Sequence, residues 1–121
     1  MGLKEDDDLS KTVAKRPELR VALADIEAAV SAEYFLNAYE AVAAAGMPAS
    51  EELMPLTICI LVMRNGFSVI GKAAPVSPLN YNADVGRKFA REDAMRQLWP
   101  LMGFSLRDRI AASADVGETN Y

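Results

Sequence analysis

The 121-residue sequence predicts an α+β fold: a small antiparallel sheet centred on a hairpin over residues 56–72, packed by a long helix over residues 82–99 and by an N-terminal helix. The first indication is Asn65-Gly66 between two β-rich apolar runs, because a type I′ turn needs positive φ at both central residues. The second is the helical spacing of apolar residues that precedes Trp99. The third is similar spacing after Pro17.

The N-terminal part is expected to begin with a mobile acidic leader over residues 1–16, because the acidic run Glu5 to Asp8 repels itself and resembles a solvated tail. Pro17 suits the first turn of a helix, where the missing N–H costs nothing. Leucine, isoleucine and valine then recur at helical spacing, which predicts an amphipathic helix over residues 17–31.

The C-terminal part is expected to contain two helices. Proline cannot continue a helix without losing a hydrogen bond, so Trp99-Pro100 is expected to end the long one. A short final helix over residues 105–112 follows, and residues 113–121 form a polar tail. Residues 17–112 are therefore interpreted as a single domain.

The segment Glu33 to Gly46 is ambiguous. Its aromatic residues suit a strand, whereas the alanine run suits a helix. Residues 49–55 are read as a loop or a short helix.

The hairpin carries an excess of apolar residues. A two-residue turn pairs Arg64 with Phe67 and Val62 with Val69, and both faces of the hairpin then become largely apolar. A hairpin with one solvated face alternates between polar and apolar residues. We therefore expect a second subunit to cover one face, giving a homo-oligomer that is a dimer or larger.

The long helix shows a similar excess. Val85, Phe89 and Trp99 lie on one side, while Ala90 and Ala94 belong to a separate strip of small residues. If the first side packs on the sheet, the alanine strip allows another helix to approach. This pattern again favours an oligomer.

Composition excludes several function classes. The net charge of −4 gives no general support for binding duplex nucleic acid or an anionic membrane. The single cysteine and the absence of histidine exclude Cys–His and Ser–His–Asp catalysis and histidine-based zinc sites. No segment is long enough to span a bilayer and no signal peptide is evident, so a cytoplasmic protein without cofactor or metal is expected.

The most unusual polar cluster lies where the hairpin leads into the long helix. Asn80, Asn82 and Asp84 can cap that helix, or they can recognise a ligand together with Tyr81, which can stack on a base. A helix N-terminus also attracts phosphate.

Cationic residues complete the candidate ligand site. Arg87 and Arg91 lie within the following turns and can neutralise phosphate. Arg64 at the hairpin tip is included among the candidates, although alone it reads as a solvated surface charge. Glu92 and Asp93 point in different directions on a helix and make a poor acid–base pair, so no catalytic residue is predicted.

Several phrases of the sequence resemble a family of small tailed-bacteriophage proteins. Residues 56–71 resemble the segment LTFCVLVLRNGFTVTG, residues 78–92 resemble the signature PxNFDxExGRKxAxE, and residues 98–104 resemble its closing lW-pLeGY. The resemblance covers roughly residues 20–110 and implies that residues 33–37 form a strand.

That family is in turn similar to the Thoeris anti-defence sponges. These are non-enzymatic phage proteins that sequester cyclic ADP-ribose-type signals of bacterial immunity, and some take cyclic oligonucleotides. The resemblance implies that Asn80, Tyr81 and Asn82 contact such a ligand, with arginines on its phosphates, in the host bacterial cytoplasm.

The sequence departs from the family pattern at identifiable positions. The family aspartate is Asn82, the acid two residues later is retained as Asp84, and the basic residue before the closing motif is Gln97. The family segment GESAC is replaced by residues 71–75. These departures either shift ligand preference or remove ligand binding.

Two further functions remain open beside sequestration. The chain can be a protein–protein interaction module that inhibits or redirects a host factor, with the apolar excess as its partner surface. It can also be a structural or assembly protein of the virion.

Overall fold

The structure is a computed structural model that describes residues 2–118, with the side chains of Pro17 and residues 115–118 outside the description. The described chain forms helices α1 (Leu3–Val13), α2 (Leu23–Ala29), α3 (Ala38–Ala44) and α4 (Ala83–Glu118), and strands β1 (Val30–Asn37), β2 (Thr57–Met63) and β3 (Ser68–Ala73). Short 3-10 turns lie at Pro17–Leu19, Glu51–Leu53 and Pro78–Asn80. The sheet is antiparallel with the order β1-β2-β3. The predicted α+β class, with its antiparallel sheet, long helix and N-terminal helix, is confirmed.

The loop of the β2–β3 hairpin contains three residues rather than the predicted two. Met63 N–H donates to Phe67 O at 2.7 Å, and Gly66 N–H donates to Met63 O at 2.9 Å. Gly66 has φ +88°, a left-handed conformation that glycine adopts without steric cost. This arrangement matches a type I turn followed by a left-handed residue.

The extra loop residue shifts the hairpin register by one position. Leu61 lies opposite Val69 and Cys59 lies opposite Gly71. The predicted pairs of Arg64 with Phe67 and of Val62 with Val69 are therefore wrong. A shift of one residue moves each side chain of a strand to the other face.

With the true register, the two faces of the sheet differ. The side chains of β2 alternate strictly between buried and half-buried positions. Cys59 and Leu61 are completely buried on the face that packs against α4, while Tyr34, Leu36 and Ile70 are exposed on the opposite face. We call this opposite face, formed by alternate residues of the three strands, the open sheet face; its apolar members are Ala32, Tyr34, Leu36, Ile58, Ile60, Val62 and Ile70.

Helix α4 contacts the sheet at unusually short range. A Cβ built on Gly71 would lie 2.1 Å from Ala90 O and 2.4 Å from Ala94 N. Ala90, Ala94 and Met95 are all fully buried. The alanine strip thus packs on β3 rather than accepting another helix, because a strand glycine and helix alanines permit the closest approach of two backbones.

Helix α4 continues through Pro100, so the predicted end at this proline and the separate helix over residues 105–112 are both wrong. An interior proline costs about 3 kcal/mol or more. Contacts on both sides oppose this cost: Leu98 is fully buried, Met102 packs on the core, and Trp99 Nε1–H donates to Val21 O at 3.0 Å. Residues 113–118 extend α4, whereas residues 119–121 of the predicted tail lie outside the described residues.

The N-terminal segment differs from the predicted mobile leader, because residues Leu3–Val13 form helix α1. Leu3 is buried in the core. The Asp7 carboxylate accepts hydrogen bonds from Leu23 N–H at 3.0 Å and from the Arg20 guanidinium at 2.8 Å. Asp6 pairs with Arg96 at 2.9 Å. Two acids of the run, Asp6 and Asp7, are thus paired with partners distant in sequence.

The predicted helix after Pro17 and the ambiguous segment after Glu33 have different boundaries in the structure. The helix expected over residues 17–31 is the shorter α2, which begins at Leu23 and gives way to β1 at Val30. The ambiguous segment contains both alternatives: the strand implied by the family resemblance is confirmed as part of β1, and the alanine run forms α3. Among the described residues, no helix combines the length and apolar character needed to cross a bilayer.

Replacing Gly71 tests the contact between α4 and β3. Gly71→Ala is expected to lower the free energy of unfolding by about 3 kcal/mol, since its Cβ would overlap backbone atoms that cannot rotate away. Urea unfolding followed by circular dichroism measures this change. Gly103→Ala is the matched control, because a Cβ there meets nothing within 4 Å and alanine is the better helix former by about 1 kcal/mol. Equal effects of the two substitutions would contradict the contact.

The attachment of α1 predicts a pH-dependent contribution to stability. The Leu23 N–H, and after it the Arg20 guanidinium, hold the pKa of Asp7 below its ordinary value against the opposing effect of burial. Since the folded pKa is lowered, the stabilisation is present above the unfolded pKa and is lost as the pH falls below about 4. Asp7→Asn is expected to cost about 1–3 kcal/mol at pH 7.

The measurement for Asp7 is a series of urea unfolding curves at several pH values. The difference between the wild type and Asp7→Asn should shrink as the pH falls towards the folded pKa. Asp8→Asn on the same helix is the control, because within the described chain only the backbone carbonyl of Asp8 accepts a side-chain hydrogen bond, from Thr12. A difference that stays constant down to pH 2 would contradict the charge-based attachment.

Candidate functional site

Asn82 caps the start of α4. Asn82 Oδ1 accepts the Val85 N–H at 3.1 Å, and the Asn82 carbonyl accepts the Gly86 N–H at 2.8 Å. Asp84 forms an ion pair with Arg87 one turn later. Asn82 and Asp84 thus have local structural roles, which was one of the two interpretations of this cluster.

A cavity of about 670 Å³ lies beside this helix start. Its walls come from the end of β1, the start of α3, the start of β2 and the first turns of α4. The lining residues are Phe35, Leu36, Asn37, Tyr39, Glu40, Met54, Thr57, Tyr81, Ala83 and Arg87. We call this space the α4 cavity. It combines aromatic surface, one guanidinium and the N-terminus of a 36-residue helix.

The inner wall of the α4 cavity depends on a glycine. A Cβ built on Gly86 would lie 2.5 Å from Thr57 Oγ1 and 3.7 Å from Tyr81 Cε1. The helix therefore comes close to β2 only because residue 86 has no side chain. This contact places Thr57 and the Tyr81 ring next to each other at the cavity wall.

The predicted ligand residues are only partly brought together. Tyr81 and Arg87 line the α4 cavity, whereas Asn80, Asn82 and Asp84 lie at its helix start without lining it. Asn80 and Asn82 are exposed. The aromatic and one cationic element of the predicted site therefore share a cavity.

The two predicted phosphate partners on α4 are separated. Arg91 pairs with Glu33 of β1 at 3.0 Å and lines a different cavity of about 910 Å³ between α1, α2, β3 and α4. The charged residues around that second cavity are of both signs: Lys4, Lys72, Lys88, Arg91 and Arg96 with Glu5, Glu27, Glu92 and Asp93. Such a balanced lining favours internal ion pairing over capture of an anion.

Arg64 lies at the far end of the hairpin from the α4 cavity. Its Nε–H donates to Ala28 O at 2.6 Å, and its backbone N–H donates to Ala29 O at 2.9 Å. These bonds attach the hairpin tip to the end of α2. Arg64 borders a separate, mostly apolar cavity of about 410 Å³.

Two polar side chains of α4 cover the outer edge of β3. Asp93 Oδ2 accepts the Lys72 N–H at 2.9 Å, and Gln97 Nε2–H donates to Ile70 O at 2.7 Å. Both backbone groups lie on the edge of β3 that is not paired with β2. An uncovered edge strand can form hydrogen bonds with the strand of another chain. The departure from the family pattern at Gln97 therefore has a structural role at the sheet edge, outside the α4 cavity.

Cys59 is the one cysteine of the sequence, and it is buried. Burial raises the pKa of the Cys59 thiol to about 11, so the thiol stays protonated at neutral pH. No group of three or more aspartate, glutamate, cysteine or histidine side chains within the described chain is placed to hold a metal ion.

The sequence did not predict that residues of β1, α3 and β2 form part of the wall of the α4 cavity. Tyr39 and Thr57 reach the α4 cavity through the pairing of β1 with β2, in which Asn37 lies opposite Thr57. Nothing in the spacing of these residues signals that they lie close to Tyr81. The one available hint was the family resemblance, which ends its implied strand at Asn37.

Comparison with known proteins identifies the family. The model of the phage protein (N4 Gp49/phage Sf6 gene 66) family matches residues 21–110. This range covers most of the chain, from just before α2 into the last third of α4, so the chain belongs to this phage protein family. No curated protein and no solved structure matches the chain.

Proposed function

We propose that this phage protein binds and sequesters a cyclic nucleotide signal of bacterial immunity, of the cyclic ADP-ribose type or a cyclic oligonucleotide, without cleaving it. The α4 cavity supports this proposal, because it joins Tyr81 and Arg87 at the N-terminus of a long helix. Its volume lies within the roughly 300–1,000 Å³ typical of small-molecule sites. The proposed place of action is the host bacterial cytoplasm.

Each wall of the α4 cavity suits one part of a nucleotide. The Tyr81 ring, 37% exposed, offers a stacking face for a base. The Arg87 guanidinium can exchange Asp84 for a phosphate, which accepts two parallel hydrogen bonds. Asn82 already pairs the Val85 and Gly86 N–H groups, but the positive end of the α4 dipole beside the cavity still favours an anion.

Binding measurements on cavity variants test this proposal. Tyr81→Ala is expected to raise the Kd for the bound nucleotide roughly 10- to 100-fold through loss of stacking. Arg87→Ala is expected to raise it by a similar factor through loss of a charged hydrogen bond. Isothermal titration calorimetry with cyclic ADP-ribose isomers and cyclic dinucleotides provides the measurement.

Arg109→Ala is the matched control for these variants. It removes the same charge from the same helix, but Arg109 hydrogen-bonds Ser105 far from the α4 cavity. Heat denaturation of the complex should release the ligand intact. Failure to bind any member of the panel would refute the proposal, and a cleaved product would indicate an enzyme.

The open sheet face supports the proposed homo-oligomer and also favours a second candidate function. Tyr34 is 55% and Ile70 is 59% exposed on this face. Exposed apolar patches of this kind often mark interaction sites. A second copy of the chain would cover it in an oligomer, whereas a host factor would cover it if the protein is an interaction module.

A charge placed on the open sheet face separates these alternatives. Ile70→Lys is expected to convert an oligomer to monomers, because burying an unpaired charge at an interface is costly. Light scattering coupled to size exclusion gives the mass. Val76→Lys, at a fully exposed loop residue, should leave the mass unchanged. A monomeric wild type that retains one host protein in a pull-down would favour the interaction module.

A further inference from the structure

Thr57 combines deep burial with an unsatisfied hydroxyl. The residue is 4% exposed, and its Oγ1 has no hydrogen-bond partner in the part of the chain that the structure describes. Proteins rarely leave buried polar atoms unpaired, since the desolvation cost is then uncompensated. Each such group calls for an explanation.

The neighbours of Thr57 offer the hydroxyl no partner. On the α4 side it faces Gly86, which has no side chain. On the sheet side it lies opposite Asn37, whose amide is used elsewhere: Oδ1 accepts the Glu40 N–H at 3.2 Å and Nδ2–H donates to Met54 O at 2.8 Å. On its β3 side Thr57 lies opposite Ala73, whose methyl side chain offers no hydrogen bond.

Thr57 also lines the α4 cavity, together with Tyr81 and Arg87. The Oγ1 itself is closed off from solvent beside Gly86, so a ligand reaches it once the Thr57 side chain turns about its Cα–Cβ bond towards the cavity. A hydroxyl that gains a partner by this turn is suited to a ligand with its own hydrogen-bonding oxygens. Ribose hydroxyls and phosphates both present such oxygens, and a threonine hydroxyl can donate to either or accept from the former.

We infer that Thr57 is a ligand-binding residue whose hydroxyl turns from Gly86 towards the α4 cavity and forms a hydrogen bond with an oxygen of the nucleotide there. This inference rests on the proposed function and adds to it a polar contact at the inner wall, close to the base-stacking ring of Tyr81. A site built to pair a hydroxyl discriminates strongly against ligands that leave it unpaired. Thr57 thereby contributes to ligand selection.

The test compares Thr57→Val, which removes the hydroxyl at similar size, with Thr57→Ser, which keeps it. Calorimetry uses the tightest-binding member of the panel of cyclic ADP-ribose isomers and cyclic dinucleotides. Thr57→Val should weaken binding at least tenfold, while Thr57→Ser should stay within about threefold of the wild type. In the ligand-free protein, Thr57→Val should raise the urea midpoint of unfolding, because it removes an unpaired buried polar group.

Each outcome has a distinct meaning. If the wild type binds and Thr57→Val binds equally well, the role of Thr57 is refuted while the proposed function stands. A lower urea midpoint for Thr57→Val would show that the hydroxyl already has a partner without ligand, which also refutes the inference. If the wild type binds no member of the panel, both the proposed function and the role of Thr57 fail. If Thr57→Val does weaken binding, a 2′-deoxy form of the same ligand identifies the oxygen that Thr57 contacts. It would bind more weakly if the contact is to the ribose and equally well if the contact is to a phosphate.

Discussion

The close approach of α4 to β3 at Gly71 is the constraint on which the rest of the structure depends. At this position the helix backbone occupies the space that any side chain would need. The contact fixes the height of α4 above the sheet and buries Ala90 and Ala94. It also brings Asp93 and Gln97 within hydrogen-bonding distance of the outer edge of β3, so that the same helix supplies both the core and the cover of that edge.

The α4 cavity is a consequence of this helix position. A second glycine contact, between Gly86 and Thr57, brings the first turns of α4 against β2. The start of the helix is satisfied locally by Asn82, yet the adjacent Thr57 hydroxyl has no partner among the described residues. Polar groups near this helix start are therefore either locally capped or left without a partner beside the cavity. The unpaired group is the physical reason for proposing that the cavity binds a ligand.

Much of the fold was predictable from local patterns, but the packing was not. Asn65-Gly66 correctly indicated a hairpin, while the choice between a two- and a three-residue loop changed which residues of β2 share a face with which residues of β3. Pro100 is a strong helix breaker locally, and only contacts made by Trp99 and Leu98 outweigh it. The acidic run near Asp7 reads as a solvated tail unless Arg20 and Leu23 are known to meet it.

The sequence by itself determined the α+β class, the place of the hairpin, the helix start near Asn82 and the membership of a phage protein family. These features depend on residues that are neighbours along the chain or on continuous motifs. Only the tertiary structure decided which predicted ligand residues share a cavity, uniting Tyr81 with Arg87 and separating Arg91 and Arg64 from them. The reason is that a cavity depends on strand register and on the crossing of a helix over a sheet, and both arise from contacts between distant residues.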